Sequence, residues 1–333
     1  MPSTLRIFRV LSHRRPSDER RLPPWKPASE RCHKLGLFNE ASDDDWERAE
    51  AFCKTHRPTP PKLLPSKIID DIRKHGCAAW GLEYPTSSRF AGQIERGGQT
   101  KSGSGGGTWT VRTEKGCQDT CVMSDLPIMA GLYDIHGKRG VYYEIRVNRM
   151  DGVVAIGKFL YDTHKSRAHL TIPVGTACKP YPPWRLPGWN RLSAAWHLDD
   201  LRKFFEDSDG GRDYAIDTSG LSRVSPGDVI GCGYEFGTSV IFTSTLFFTH
   251  NGRRLPNAFA GIYMPRVDHD VYAAIGFEGA NEVEVNFGSS DFLWKEGNDV
   301  AWQVDGHVGY MVGSEPGQDE RLPSYSESVA VVT

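Results

Sequence analysis

His197, Asp199 and Asp200 stand together in the run Trp196-His197-Leu198-Asp199-Asp200-Leu201 of this 333-residue chain. An imidazole beside carboxylates is the material of a general base or of half a metal site. Alternate residues of a strand share a face, so His197 and Asp199 would point together while Asp200 opposes them. No nucleophile motif accompanies the group, and no third ligand stands at a recognisable spacing. Short acidic side chains readily hydrogen-bond turn backbone, and that loop-ordering role is the reading adopted for the two aspartates. No catalytic residue, metal or cofactor is assigned.

Other chemistry-bearing patterns are weaker. Residues 96–107, RGGQTKSGSGGG, hold a Lys101-Ser102 pair like that of a phosphate-cradling loop. Such a loop needs glycine directly before the pair and a helix after it; here Thr100 precedes Lys101 and more glycines follow, so the stretch reads as a surface loop. Cys117 and Cys121 lack a second pair or clustered histidines, and Cys32-His33 is isolated, so zinc is not expected. The seven cysteines are odd in number and scattered, without a signal peptide, which implies free thiols in a reducing compartment.

Tyr181, Trp184 and Trp189 lie in KPYPPWRLPGWN, residues 179–190. Proline keeps the backbone extended and the rings available, and Tyr and Trp dominate binding hot spots. The same rings would equally cap the end of a β core. The basic pairs Lys138-Arg139 and Arg253-Arg254 each follow a glycine at a turn and have no interleaved aromatics, so they read as solvated hairpin tips.

A net charge of −2 gives no field toward nucleic acid or an anionic membrane. No stretch approaches the roughly 18 apolar residues of a membrane-spanning helix. Arg6, Arg9, Arg14 and Arg15, with no acid in the first fifteen residues, resemble a mitochondrial presequence, but a disordered basic arm is the reading adopted.

The elements that must position these residues are mostly strands. Helices are expected at Asp43 to Lys54 and Pro65 to His75, as a cap on the domain. Strands are expected at 109–112, 120–123, 141–150, 153–159, 191–198, 228–236, 245–250, 271–277 and 282–288, with a hairpin turn at Asn251-Gly252. Short strands without crossover helices indicate an antiparallel β-sandwich or barrel.

In order, GVYYEIRV, VVAIG, GWNRLSAAWHLDDLRKF, GDVIGCGYEF, LFFTHNGRRL, VYAAIGFEG and VEVNFGSSDF resemble the signature segments of SPRY domains, which are concanavalin-like sandwiches. The resemblance is strongest to fungal members, of the Ran-binding-protein-M type and the endosomal or vacuolar adaptors of HECT-type ubiquitin ligases. It divides the chain into a disordered tail (1–40), a helical extension (41–79), the SPRY domain (80–296) and a mostly disordered tail (297–333). It implies a non-catalytic module that binds a protein or peptide through loops at one end. Tyr181, Trp184, Trp189, His197, Asp199 and Asp200 are the partner-binding candidates.

The tail motif Leu322-Pro323-Ser324-Tyr325 resembles the Leu-Pro-x-Tyr ligand of WW domains. With the family resemblance, it implies an adaptor in ubiquitin-dependent sorting or degradation, cytoplasmic and recruited to endosomal or vacuolar membranes. The alternative is a scaffold subunit of a larger ligase or signalling complex without WW docking, although the helical modules usual in those subunits are not seen after the domain. An enzyme or carbohydrate-binding sandwich is disfavoured by the lack of a catalytic constellation.

Two departures stand out. Leu201 replaces a family glycine after the aspartates, which puts the usual tight turn in doubt. Lys158 to Gly175 interrupts the family pattern between Gly157 and Thr176, as a retained intron or a surface-loop insertion. A splice donor can encode Gly157-Lys158-Phe159, and sandwiches tolerate long loops.

Overall fold

In the computed structural model the described residues are 42–97, 107–151, 172–207, 211–214, 221–237, 243–263 and 269–308. The expected strand at 153–159, the N-terminal arm, the loop at 98–106 and the Leu322-Pro323-Tyr325 motif lie outside them.

Two helices come first, α1 (Asp43–Thr55) and α2 (Ser66–His75). The Ser42 hydroxyl accepts the Asp45 N–H and caps α1, whose acidic first turn suits the positive end of the helix dipole. α2 ends on Gly76, which takes the left-handed backbone (φ 57°) that glycine tolerates best.

The strands are numbered in chain order. β1 (Gly92–Arg96), β2 (Trp109–Thr113), β13 (Asn281–Asn286), β4 (Gly140–Met150), β9 (Val229–Glu235), β10 (Thr243–His250) and β11 (Arg253–Tyr263) lie side by side in that order as one sheet. β3 (Thr120–Met123), β12 (Val271–Phe277), β5 (Pro173–Cys178), β6 (Ala194–His197), β7 (Arg202–Phe205) and β8 (Arg212–Asp213) form the second. The pairings between these strands are all antiparallel. The β10–β11 hairpin turns on Asn251 (φ 49°) and Gly252 (φ 76°), the two left-handed residues of a type I′ turn.

Alternation builds the core. Val141, Tyr143, Ile145 and Val147 of β4, with Ile230, Cys232, Val283 and Val285, meet Val122, Val174, Trp196, Ile275 and Phe277 of the facing sheet in one buried cluster. The alternate residues Tyr142 and Phe247 face away from that core and are nonetheless fully buried. What covers them is the chain after β13: Phe292, Trp294 and Trp302 close an aromatic cluster over the outer face of the first sheet.

This strap corrects the expected domain end at 296. Trp302, Val304, His307 and Val308 are all buried, and the Arg139 and Gly140 N–H groups donate to the Ala301 carbonyl. The reason is compositional: a few large apolar residues spread among Gly, Asp and Glu leave no periodic signal, yet they fit the Tyr142–Phe247 surface and bury it.

Three further expectations change. The strand placed at 191–198 starts at Ala194, because Arg191 (φ 32°) and Leu192 (φ 49°) form a left-handed turn. The turn at Leu201 is kept, with Leu201 itself left-handed (φ 58°) and its side chain buried. Residues 172–175 are not surface loop: Ile172 is fully buried, and Pro173, Val174 and Gly175 open β5, in the middle of the second sheet.

Candidate binding face at the aromatic loop

The loop between β5 and β6, residues 179–192, folds back over the outer face of the second sheet. Tyr181 packs there with Cys121, Met123, Ala177 and Ala274, and its hydroxyl donates to the Leu186 carbonyl at 2.6 Å. Trp189 joins Leu186 and Phe204 in a second buried cluster. His197 lies beneath them, stacked on Phe204 at 3.9 Å with Nε2 3.0 Å from the Pro187 carbonyl.

Burial pushes the His197 imidazole down to about 3, so the ring is neutral near pH 7 and closed to solvent. Three expected partner-binding residues, Tyr181, Trp189 and His197, are thus supports of the loop from below. They cannot touch a partner, because their rings are already enclosed by protein. Asp199 and Asp200 are half-buried in the turn after β6, and Asp200 Oδ1 accepts the Arg202 N–H at 2.9 Å, a loop-ordering bond.

Trp184 sits on the outer side of the loop and is covered by α1. Phe52 meets its ring edge-on at 5.6 Å, and the Arg48 guanidinium stands 4.8 Å over it. The rest of the α1 contact is polar. Arg89 forks onto both Asp45 oxygens at 2.8 Å, and Asn190 Nδ2 donates to Glu50 at 3.4 Å. Arg191 donates to the Pro180 carbonyl at 2.7 Å, and to the Cys53 and His56 carbonyls at the end of the helix. Burial pushes the Asp45 carboxyl up, but the bonds and charge of Arg89, helped by Arg48 and Ser42, outweigh it and leave the group below its ordinary value.

Under α1 lies Arg185, fully buried. Its Nε donates to Asn190 Oδ1 at 2.7 Å and its plane stacks on Trp189 at 4.5 Å. Nη1 and Nη2 have no hydrogen-bond partner among the described residues. Sequence reasoning found the aromatics here but missed Arg89, Arg185 and Arg191. The available signal was an arginine set among Pro, Trp and Leu, where a solvated charge has no place.

One cavity of about 200 Å³ opens elsewhere, on the outer face of the first sheet, lined in part by Thr108, Glu144, Arg146, Glu284, Asn286 and Lys295. Glu144 is committed there to the strap: it accepts the Leu293 and Trp294 N–H groups at 2.9 and 3.0 Å and the Tyr142 hydroxyl at 2.8 Å. Among the described residues, no group of three His, Cys, Asp or Glu is placed to hold a metal ion, and no helix is long and apolar enough to cross a membrane.

Two antiparallel sheets, end loops rigidified from below and a polar face under a small helix define a sandwich of the recognition type. Residues 140–290 match the SPRY domain family model, and the chain carries a SPRY domain. It is similar to Protein ssh4 of Sclerotinia sclerotiorum, 27% identical over 87% of this chain and 46% of the relative. Protein ssh4 of Neurospora crassa is 31% identical over 86% and 47%. A SPRY domain-containing protein of Schizosaccharomyces pombe is 32% identical over 49% and 36%. A human SPRY domain structure aligns at 22% identity over 58% of this chain and 96% of its own, with a TM-score of 0.37. The chain spans about half the length of the ssh4 relatives it matches. The SPRY domain is a protein-interaction module.

Proposed function

We propose that this chain is a non-catalytic adaptor in ubiquitin-dependent sorting or degradation. Its SPRY domain recognises a protein cargo through its loops, and Leu322, Pro323 and Tyr325 dock a WW domain of a HECT-type ubiquitin ligase. It works in the cytoplasm and is recruited to endosomal or vacuolar membranes. The observation that carries this reading is an interaction domain joined to a Leu-Pro-x-Tyr tail in one chain. The commitment of His197 and Asp200 to internal bonds supports a binding role over a catalytic one.

The test is a pull-down of purified chain on immobilised WW domains of a HECT ligase. Tyr325→Ala is expected to cut recovery roughly tenfold or more, because it removes the hydrogen bond and ring that the groove reads. Equal recovery of wild type and variant would remove ligase docking from the proposal.

A further inference from the structure

Resting on the reading of the SPRY domain as a recognition module, we propose that the face beneath α1 is a docking site for an acidic helical segment of a partner protein, with α1 as its displaceable internal occupant. The charges are complementary. The face presents Arg89, Arg185 and Arg191, while α1 brings Asp45 to Arg89, its C-terminal carbonyls to Arg191 and Glu50 to the neighbouring Asn190 amide.

The occupant fits imperfectly. Nη1 and Nη2 of Arg185 have no hydrogen-bond partner among the described residues although the side chain is fully buried, and its charge is met from a distance by Asp119. Arg185 lies within charge range of both Asp45 and Cys53. Residues 45, 49 and 53 form one stripe of the helix, and Ala49 at its centre is fully buried. A helix with a carboxylate at the position of Cys53 would add a negative charge within range of the buried guanidinium and compete better than α1 for the face.

Removing α1 is cheap relative to removing a strand. Ala49 is fully buried, while Phe52 and Cys53 are half-buried and Trp46 stands 46% exposed. What remains is a set of partly exposed ion pairs and hydrogen bonds, individually weak and screened by salt.

The test uses the full chain and a labelled peptide of residues 42–57. Asp45→Arg with Glu50→Arg places like charges against the arginine face, which frees it of α1 without altering it. By fluorescence polarisation the double variant is expected to bind the peptide roughly tenfold or more tightly than wild type. A Cys53→Glu peptide is expected to bind tighter still, and adding Arg185→Met should erase that gain.

In untouched wild type, α1 amides are expected to exchange with solvent at least about a hundredfold faster than those of β4. No peptide binding to the opened chain, weaker binding of the Cys53→Glu peptide, or α1 protection equal to that of β4 overturns the proposal. So does a wild-type dimer held by exchanged α1 helices, which would make a second copy the occupant. None of these readouts involves Tyr325, so failure here and failure of the ligase-docking proposal are distinguishable.

Discussion

Asp119 and Glu278 are set against each other by strand register. Thr120 pairs with Phe277, so the next residues out, Asp119 and Glu278, are cross-strand neighbours of like charge. Burial, then Asp119 and Asp199, push Glu278 up to about 8, while burial carries Asp119 up to about 7 against the pull of Arg185 and Arg89. A carboxyl raised in the folded state stabilises the fold below its ordinary pKa and loses that contribution as pH rises through the folded value. Glu278→Gln should therefore match wild type at pH 5 and exceed it at pH 8.5 by about 1 kcal/mol, allowing for partial exposure. Urea unfolding at the two pH values measures this; equal or lower stability of the variant at pH 8.5 would count against the charge account. Asp200 was readable from sequence as a turn residue because its bond is local. His197 and Arg185 were not, since the first is enclosed only when the 179–192 loop folds back over the sheet and the second only when α1 lies over that loop.

β5 is the element least visible in sequence and most constrained in structure. It is buried along its whole length, so it has no alternation, and it opens with a proline and contains a glycine. A Cβ on Gly175 would lie 1.9 Å from the Ala194 carbonyl oxygen, so only glycine fits. By contrast β4, β12 and β13 were legible because branched and aromatic residues recur along them, whereas β7 was hidden by its charged opening, Arg202-Lys203. The constraint on β5 bears on Lys158 to Gly175. Without that segment Val154-Ala155-Ile156-Gly157 would precede Thr176, again with a branched residue and a glycine in the last two places. The connection also has room. Met150 pairs with Asn281, and continuing the β12–β5 register two pairs beyond Ile275 and Val174 brings Ile172 opposite Phe277. Residues 278–280 already cross between the sheets at this end, and 151–153 would make the equivalent crossing. A chain lacking 158–175 is therefore expected to fold with a melting temperature within about 4 °C of the full chain or above it. A deletion chain without a cooperative melt would show that 158–175 carry structure that 154–157 do not replace, and would argue against a retained intron.

At the scale of the whole molecule, the limits of the folded unit depend on what covers the outer faces of its sheets. The aromatic loop covers the second sheet through Tyr181, Leu186 and Trp189, and α1 covers that loop largely through polar contacts. The strap covers part of the first through Phe292, Trp294 and Trp302, packed on Tyr142 and Phe247 with ring centres 4.7–5.6 Å apart in the closest pairs. The sandwich core was legible in sequence from its strands, but the strap was not, because its burial is earned by a surface two hundred residues of topology must first assemble. The energetics set the boundary. Full burial of Trp302 is worth about 3–5 kcal/mol, and Val304 and Val308 add about 1.5–3 kcal/mol each, against a typical total stability of 5–15 kcal/mol. A chain ending at residue 296 keeps Phe292 and Trp294 but uncovers the sides of Phe247 and Trp294 on which Trp302 packs. That truncation is expected to lose its cooperative thermal transition, whereas a chain ending at 308 should melt as the full chain does. Trp302→Ala in the full chain gives the graded case, a loss of about 3–5 kcal/mol in chemical denaturation. If the chain ending at 296 melted like the one ending at 308, the strap would be an ornament on the sandwich, and the domain would end at β13 and its following turn.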